Sequence, residues 1–469
     1  MYKRIESDSI GSMPIPTNAY YGIQSLRAKN NFNITERRLN VNFIKSLAEI
    51  KKSAAITNMN NNDLNSSIAQ AIIKACNEII LGKLHDEFIV DPIQGGAGTS
   101  ANMNANEVIA NRAIEILNGI KGDYTIVHPN DHVNMCQSTN DVFPTAGKLT
   151  VLKLIPNLIA ELERLTASFE IKSIEFDKVI KMGRTQMQDA VPIRLGQSFN
   201  AFASVINRDI KRLNKASDEM RTLNIGGTAI GTCINASEYY VTNIVKNLQI
   251  VTNEKLTQAE DLIDATQNLD GFVTVSSTLK TCAVNLSKIS NDLRLLSSGP
   301  KAGFGEINLP GKQNGSSIMP GKINPVIPEV VTQVAYNILG NDLTITMAAE
   351  AGQLELNAFE PILFFNLFES IETLTNAVIT FRENCILGIT ANEDRCLKLV
   401  ENSVGISTAL CPYIGYKKSA EIAKKSLETN IPVKELVINE GLLSIDDLNK
   451  ILDPIKMTNI SSSLDQYAI

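Results

Sequence analysis

The chain of 469 residues has only three histidines, His85, His128 and His132. Histidine is the commonest ligand in catalytic zinc sites, so such a site is poorly supplied here. His128 and His132 are four apart, but Pro129 lies between them and no helix is indicated. Seven cysteines are scattered as Cys76, Cys136, Cys233, Cys282, Cys385, Cys396 and Cys411, with no C-x-x-C pair and an odd count. That excludes a zinc ribbon and argues against a disulfide framework, and it fits reduced thiols in a cytoplasmic protein. No uninterrupted apolar stretch of about 18 residues occurs, so no membrane span is expected. The opening MYKRIESDSIGSMP is charged early and lacks the apolar core of a secretory signal. A basic excess is missing too. Forty-four Lys and Arg against 50 Asp and Glu leave a net charge of −6, whereas nucleic-acid binders normally present a basic face. Small acidic ligands stay open, because a few local cations suffice for them. Good strand signals are also absent, apart from Asp123–Val127 as an extended connector, and no internal repeat is apparent.

What is present is a globular balance of 44% hydrophobic and 20% charged residues, with long helical patterns. Ser198–Asn224 contains no Pro or Gly, and Phe199, Phe202, Ile206, Ile210, Leu213 and Met220 recur mostly at steps of three and four. Phe272–Ser298 repeats the rhythm with Leu279, Cys282, Leu286, Ile289 and Leu293. Pro361 opens a third run in the first turn, where a missing N–H costs nothing. From it Phe364, Leu367, Phe368, Ile371, Leu374, Val378, Phe381 and Cys385 line one side until Gly388. Runs this long predict an all-α bundle whose stripes bury against other subunits as well as their own chain. The tail predicts short helices at Ser419–Glu428, Pro432–Glu440 and Ser444–Leu452. The expected domains are an N-terminal one of short helices and loops over 1–138, a long-helix bundle over 139–392 and a small helical one over 393–469.

Between the helices lie four clusters rich in Gly, Ser, Thr and Asn, read as loops: Gln94–Asn104, Cys136–Asp141, Gly183–Pro192 and Gly315–Pro325. Loops held by a rigid scaffold concentrate function, although Ser, Thr and Asn are also ordinary helix caps. The last cluster, GSSIMPGKINP, is not a phosphate-binding loop. Gly315 and Gly321 are separated by five residues rather than four, Ile323 replaces the Ser/Thr, and Pro320 removes a donor. GGTAIG at Gly226–Gly231 likewise fails the dinucleotide fingerprint, with no strand before it. The Gly315–Pro325 loop instead offers two adjacent hydroxyls, the cation Lys322 and the amide Asn324, with Gly on either side to allow closure. A serine becomes a useful base when nearby positive charge and donated hydrogen bonds lower its pKa.

In this order and spacing the four clusters resemble the aspartase/fumarase superfamily, and GSSIMPGKINP looks like its signature. The resemblance runs from PTNAYYGIQSLRAKNNF to LSIDDLNKILDP. It implies a three-domain all-α fold with a central five-helix bundle, a homotetramer with a twenty-helix core, and active sites shared by three subunits. Within the superfamily the aspartase branch matches best. Fumarases carry His after G-R-T to handle water, whereas this chain has Gln186, an amide that cannot serve as a general base near neutral pH. The stretch Ala348–Pro361 and the tail NEGLLSIDDLNKIL also resemble aspartases.

The resemblance implies reversible conversion of L-aspartate to fumarate and ammonia. Ser316 is then the base that abstracts a proton next to the β-carboxylate. Thr99, Ser138, Thr139 and Thr185 are assigned to that carboxylate, Asn140, Lys322 and Asn324 to the α-carboxylate and amine, and Gln186 joins the substrate-binding set. No organic cofactor is implied. Divalent-metal activation occurs in such proteins, but no ligand cluster is visible. In fumarases the match of Glu329 pairs with the water-handling His, whereas here it is left to hydrogen-bond Gln186 or to stand alone, which argues against a catalytic role. Cys233, in NIGGTAIGTCINA, stands where the superfamily has Gly. If that position needs a positive φ, Cys there costs about 1 kcal/mol or more. A related lyase or hydratase, and a binding protein that kept the fold without the chemistry, are the alternatives.

Overall fold

The computed structural model describes residues 2–315 and 317–459. It opens with a hairpin of β1 (Lys3–Asp8) and β2 (Gly11–Pro16), then α1 (Ile23–Asn31), α2 (Val41–Asn60), α3 (Ser66–Ile80) and α4 (Thr99–Ile116). The 37-residue α5 (Thr139–Glu175) follows, then a second hairpin of β3 (Ile180–Thr185) and β4 (Gln188–Arg194). After it come α6 (Leu195–Asp218), α7 (Glu238–Thr252), α8 (Leu262–Gln267), α9 (Asp270–Leu296), α10 (Val326–Glu350) and α11 (Glu360–Asn384). The tail helices Tyr416–Thr429, Val433–Asn439 and Ile445–Ile451 fall where the sequence places them. The all-α expectation holds: strands among the described residues are short and paired two by two.

The periodic faces are the buried ones. Every apolar position named for α6, α9 and α11 is under 10% exposed, and most are fully buried. Fully burying one such side chain stabilises the fold by roughly 1.5–3 kcal/mol, so these stripes, not intrinsic propensity, hold the long helices. Glu360–Gly388 is long and apolar enough to cross a membrane, with mean hydropathy 1.3. Its Leu363, Leu367 and Ile371, however, are fully buried inside the protein.

The chain divides into two compact units. Unit 1 comprises residues 1–159, 211–281 and 336–375. At its centre Phe43 of α2, Phe143 of α5, Phe272 of α9 and Phe364 and Phe368 of α11 pack with ring centroids 5.0–6.0 Å apart. There Asp342 of α10 accepts from Ser276 at 2.7 Å and pairs with Lys280 at 2.6 Å. Unit 2 comprises residues 160–210, 282–335 and 376–469. Its rings are Phe169 of α5, Phe176, Phe199 and Phe202 of α6 and Phe381 of α11. A second apolar cluster in unit 2 joins Ile180 and Met182 of β3 to Val400, Ile406, Leu410 and the tail helices.

Three local expectations fail. The strands were not anticipated, because β2 and β4 carry Pro and β1 is mostly polar rather than cleanly alternating. Asp123–Val127 is a series of turns, not an extended connector. The Asp123 carboxylate accepts from the Thr125 hydroxyl at 2.5 Å, and Ile126 N–H reaches the Asp123 carbonyl at 3.1 Å. Pro129–Val133 forms a π-helical turn where no helix was indicated, and the His128 ring caps it by accepting from the Asn130 and Asp131 N–H groups.

Candidate active site

Unit 1 carries Thr99, Ser138, Thr139 and Asn140, the last three at the start of α5 and Thr99 at the start of α4. Gly96, Ala97 and Gly98 lie consecutively at positive φ and lead into α4. A Cβ on Gly98 would sit 2.3 Å from Phe143, so both the turn and the packing require glycine there. Thr99 is exposed, and its hydroxyl donates to the Gly96 carbonyl at 2.7 Å. One turn into α4, the buried Asn102 amide donates to Thr139 Oγ1 at 3.1 Å and so ties the two helix starts together.

Beneath Ser138–Asn140 lies a buried polar network that the sequence reading did not assign. The Asp141 carboxylate accepts from the N–H groups of Ser138 at 2.9 Å and of Gly226 and Thr228 at 3.0 Å each. The Asn140 side chain donates to the Ala229 carbonyl at 2.7 Å, and Asn224 returns a bond to the Asn140 carbonyl at 3.0 Å. Lys51 of α2 is fully buried, with Nζ donating to Asn134 Oδ1 at 2.7 Å and Gln137 Oε1 at 2.9 Å. Burial pushes the Lys51 pKa down to about 7, partly opposed by Asp141, and pushes Asp141 up to about 6 against its three donors and Lys51. Asp141 closes the cluster CQSTND, but the sequence pointed to no role for it. Lys51 gave no signal, because a lysine in a helical run reads as solvent-facing. Cys233 has φ 61°, so the left-handed backbone that makes Gly the ordinary choice is kept with a Cys in place.

Unit 2 carries Thr185, Gln186, Lys322 and Asn324. The cluster Gly183–Pro192 is not a plain loop but most of the β3–β4 hairpin. Thr185 pairs with Gln188, leaving Gln186 and Met187 as a two-residue turn with φ 53° and 64°. Two positive φ values are those of a type I′ turn, which usually takes Asn-Gly because non-Gly residues are strained there. Strain of this kind is held at functional positions. Thr185 and Gln186 are both exposed.

The Gly315–Pro325 loop is a loop as expected, and Ser316 lies outside the described residues. A Cβ on Gly315 would fall 2.0 Å from the Lys322 carbonyl, so the two ends of the signature meet at a glycine. Lys322 is exposed and Asn324 half-buried, both lining a cavity of about 830 Å³ with Arg294 and Glu329. Glu329 faces Arg294 at 4.0 Å. Among the described residues no group of three or more His, Cys, Asp or Glu is arranged to hold a metal. His85 bonds the Ile79 carbonyl, and His128 and His132 serve backbone N–H groups. The structure thus gathers two sets, one in each unit: hydroxyls and amides at paired helix starts, and a strained hairpin tip with a cationic loop. Both present hydrogen-bonding groups, and the second adds the cation Lys322.

Residues 11–340 match the family model described as Lyase, and residues 406–459 the one described as Fumarase C C-terminus. An aspartate ammonia-lyase of a Bacillus species is 53% identical over 97% of both chains, and one of Helicobacter pylori 51% over the same shares. Among solved structures, the Brucella melitensis fumarate lyase:delta crystallin bound to cobalt superposes with TM-score 0.95 at 50% identity, covering 97% of this chain and 100% of that one. A class II fumarase from Schistosoma mansoni gives TM-score 0.93 at 36% identity, covering 97% and 99%.

Proposed function

The chain belongs to the aspartase/fumarase superfamily of lyases, and from that membership we propose that it deaminates L-aspartate reversibly to fumarate and ammonia. The observation that carries the proposal is identity of about half, end to end, to aspartate ammonia-lyases. Gln186 supports it at the hairpin tip, where water chemistry would call for an imidazole.

Ser316, having first lost its own hydroxyl proton to solvent, takes the proton from C3, the carbon beside the β-carboxylate. The electron pair moves onto that carboxylate, giving an aci-carboxylate dianion. Its collapse forms the C2–C3 double bond and breaks C2–N, so the pair on nitrogen leaves as ammonia, while the abstracted proton returns to solvent. The dianion is reachable only against preorganised donors, each worth roughly 2.7–4 kcal/mol if it acts like an oxyanion-hole group. Thr99, Ser138, Thr139 and Thr185 supply them to the β-carboxylate. Asn140, Lys322 and Asn324 hold the α-carboxylate and orient the amine, with Gln186 alongside. Elimination of this kind needs no organic cofactor. The described residues offer no ligand set that fits an activating divalent metal, and no step runs through one.

The same reading makes the enzyme a cytoplasmic homotetramer with active sites shared by three subunits. Support comes from α10, where Tyr336, Leu339, Leu343 and Met347 are 64%, 38%, 61% and 63% exposed on one face of a helix that buries Ala335, Ile338 and Ile345 on the other. A helix apolar on both faces suits an interior position in an assembly.

The test is purified protein with aspartate, malate and 3-methylaspartate, following absorbance of the new conjugated double bond. Aspartate turnover is expected, and malate turnover at a comparable rate would overturn the reading. Ser316→Ala should keep the oligomer and lose nearly all activity, and full activity would remove Ser316 as the base.

A further inference from the structure

The substrate-facing tip of the β3–β4 hairpin is exposed and strained, yet its stem is held from two sides. Arg184, immediately before Thr185, places its guanidinium carbon 4.1 Å over the Phe304 ring. Its Nη1 reaches both oxygens of Glu306 at 3.0 Å, and Glu306 is fully buried. Lys181, immediately before the register shift at Met182/Arg184, approaches the same carboxylate at 3.5 Å. Glu306 is itself fixed through its backbone, whose carbonyl accepts from Asn392 N–H at 2.9 Å. On the other strand Asp189, the register partner of Arg184, accepts from the Ser403 hydroxyl at 2.8 Å. Next to it the Gly405 backbone packs so closely that a Cβ would meet the Ala190 carbonyl at 2.3 Å.

We propose that Arg184 is a positioning residue: its clamp between Phe304 and buried Glu306 sets the rotation of the hairpin tip that presents Thr185 and Gln186 to the substrate. The inference rests on the proposed function only for the identity of that substrate, a dicarboxylate. A planar guanidinium that lies over a ring and bonds both oxygens of a buried carboxylate through one nitrogen has little rotational freedom. The backbone leaving Arg184 is therefore fixed at the residue where the turn begins. Without the clamp, a two-residue turn of non-glycine residues at positive φ has reason to relax, and its side chains move with it.

Removing one partner leaves a buried uncompensated charge, whereas replacing both by apolar residues of similar volume is often neutral for stability. The informative variant is therefore Arg184→Met with Glu306→Leu. Its expected behaviour is an unchanged oligomer, an unfolding midpoint lowered because Lys181 loses the same carboxylate, and kcat/KM for aspartate lowered about 10- to 100-fold, the loss typical of a charge-assisted bond. Wild-type kinetics, or a loss that Arg184→Lys does not partly recover, would overturn the proposal. If the double variant does not assemble, Glu306→Gln carries the test, with a lower kcat/KM expected and a wild-type kcat/KM overturning it. Arg184→Lys, which keeps the charge but not the planar guanidinium, should fall between wild type and the double variant. Succinate affinity by calorimetry separates the two proposals. Wild type inert toward aspartate but binding succinate more tightly than the double variant would sink the reaction and keep the clamp. Equal succinate affinities would sink the clamp.

Discussion

Lys51 has no exposed surface, and its neighbours explain what that means for pH. Asp141 of α5 and Cys76 of α3 are the titratable groups that favour its charge, and desolvation outweighs them. An unfolded chain holds the lysine proton up to its ordinary 10.5, whereas the folded chain releases it near 7. Stability from this group therefore rises with pH across that window, by up to about 1.36 kcal/mol per pH unit. Asp141 works in the opposite sense at lower pH. Its folded pKa of about 6 lies above 3.8, so its contribution is present in acid and is lost as pH rises through that interval. Urea midpoints between neutral and alkaline pH should climb more steeply in wild type than in Lys51→Met, and equal slopes would clear Lys51 as the cause. At this scale the sequence told only part of the story. CQSTND displayed Ser138, Thr139 and Asn140, but nothing in FIKSLAEIKKSAA marks one lysine of the pair as interior. Burial is decided by the helices packed around a residue, not by its neighbours in the chain.

Among the elements, the long helices were legible and the hairpins were not. A 3.6-residue apolar period needs only local sequence to be read, and α6, α9 and α11 buried the predicted faces. The β3–β4 hairpin is defined by pairing across a turn, and its turn residues, Gln186 and Met187, are not those that type I′ geometry favours. Met187→Gly tests that account. Relief of about 1–2 kcal/mol of left-handed strain, less about 0.5–1 kcal/mol of extra entropy in the unfolded chain, should leave a net stabilisation. Chemical denaturation reads it directly, and a destabilised variant would show that Met187 is not strained there.

For the whole molecule, the exposed row Tyr336, Leu339, Leu343 and Met347 is the part of α10 that one chain leaves without a partner. Leu343→Glu introduces a charge on that face, and desolvating it in an interface is costly. The expected outcome is dissociation in sedimentation, with activity falling at least about tenfold as shared sites come apart. A tetramer of full activity would remove α10 from the interface.

By itself the sequence determined the helical class, the order of the polar clusters and, in Gln186, the reason to propose ammonia rather than water as the leaving group. Each of these depends on residue type and spacing along the chain. Only the tertiary structure decided that Gly183–Pro192 is a clamped hairpin, that Asn102 joins the starts of α4 and α5, and that Lys51 and Asp141 lie beneath the hydroxyl cluster. Those facts depend on which distant segments touch. They are fixed by packing and by the need to satisfy every buried polar group, conditions that no local pattern encodes.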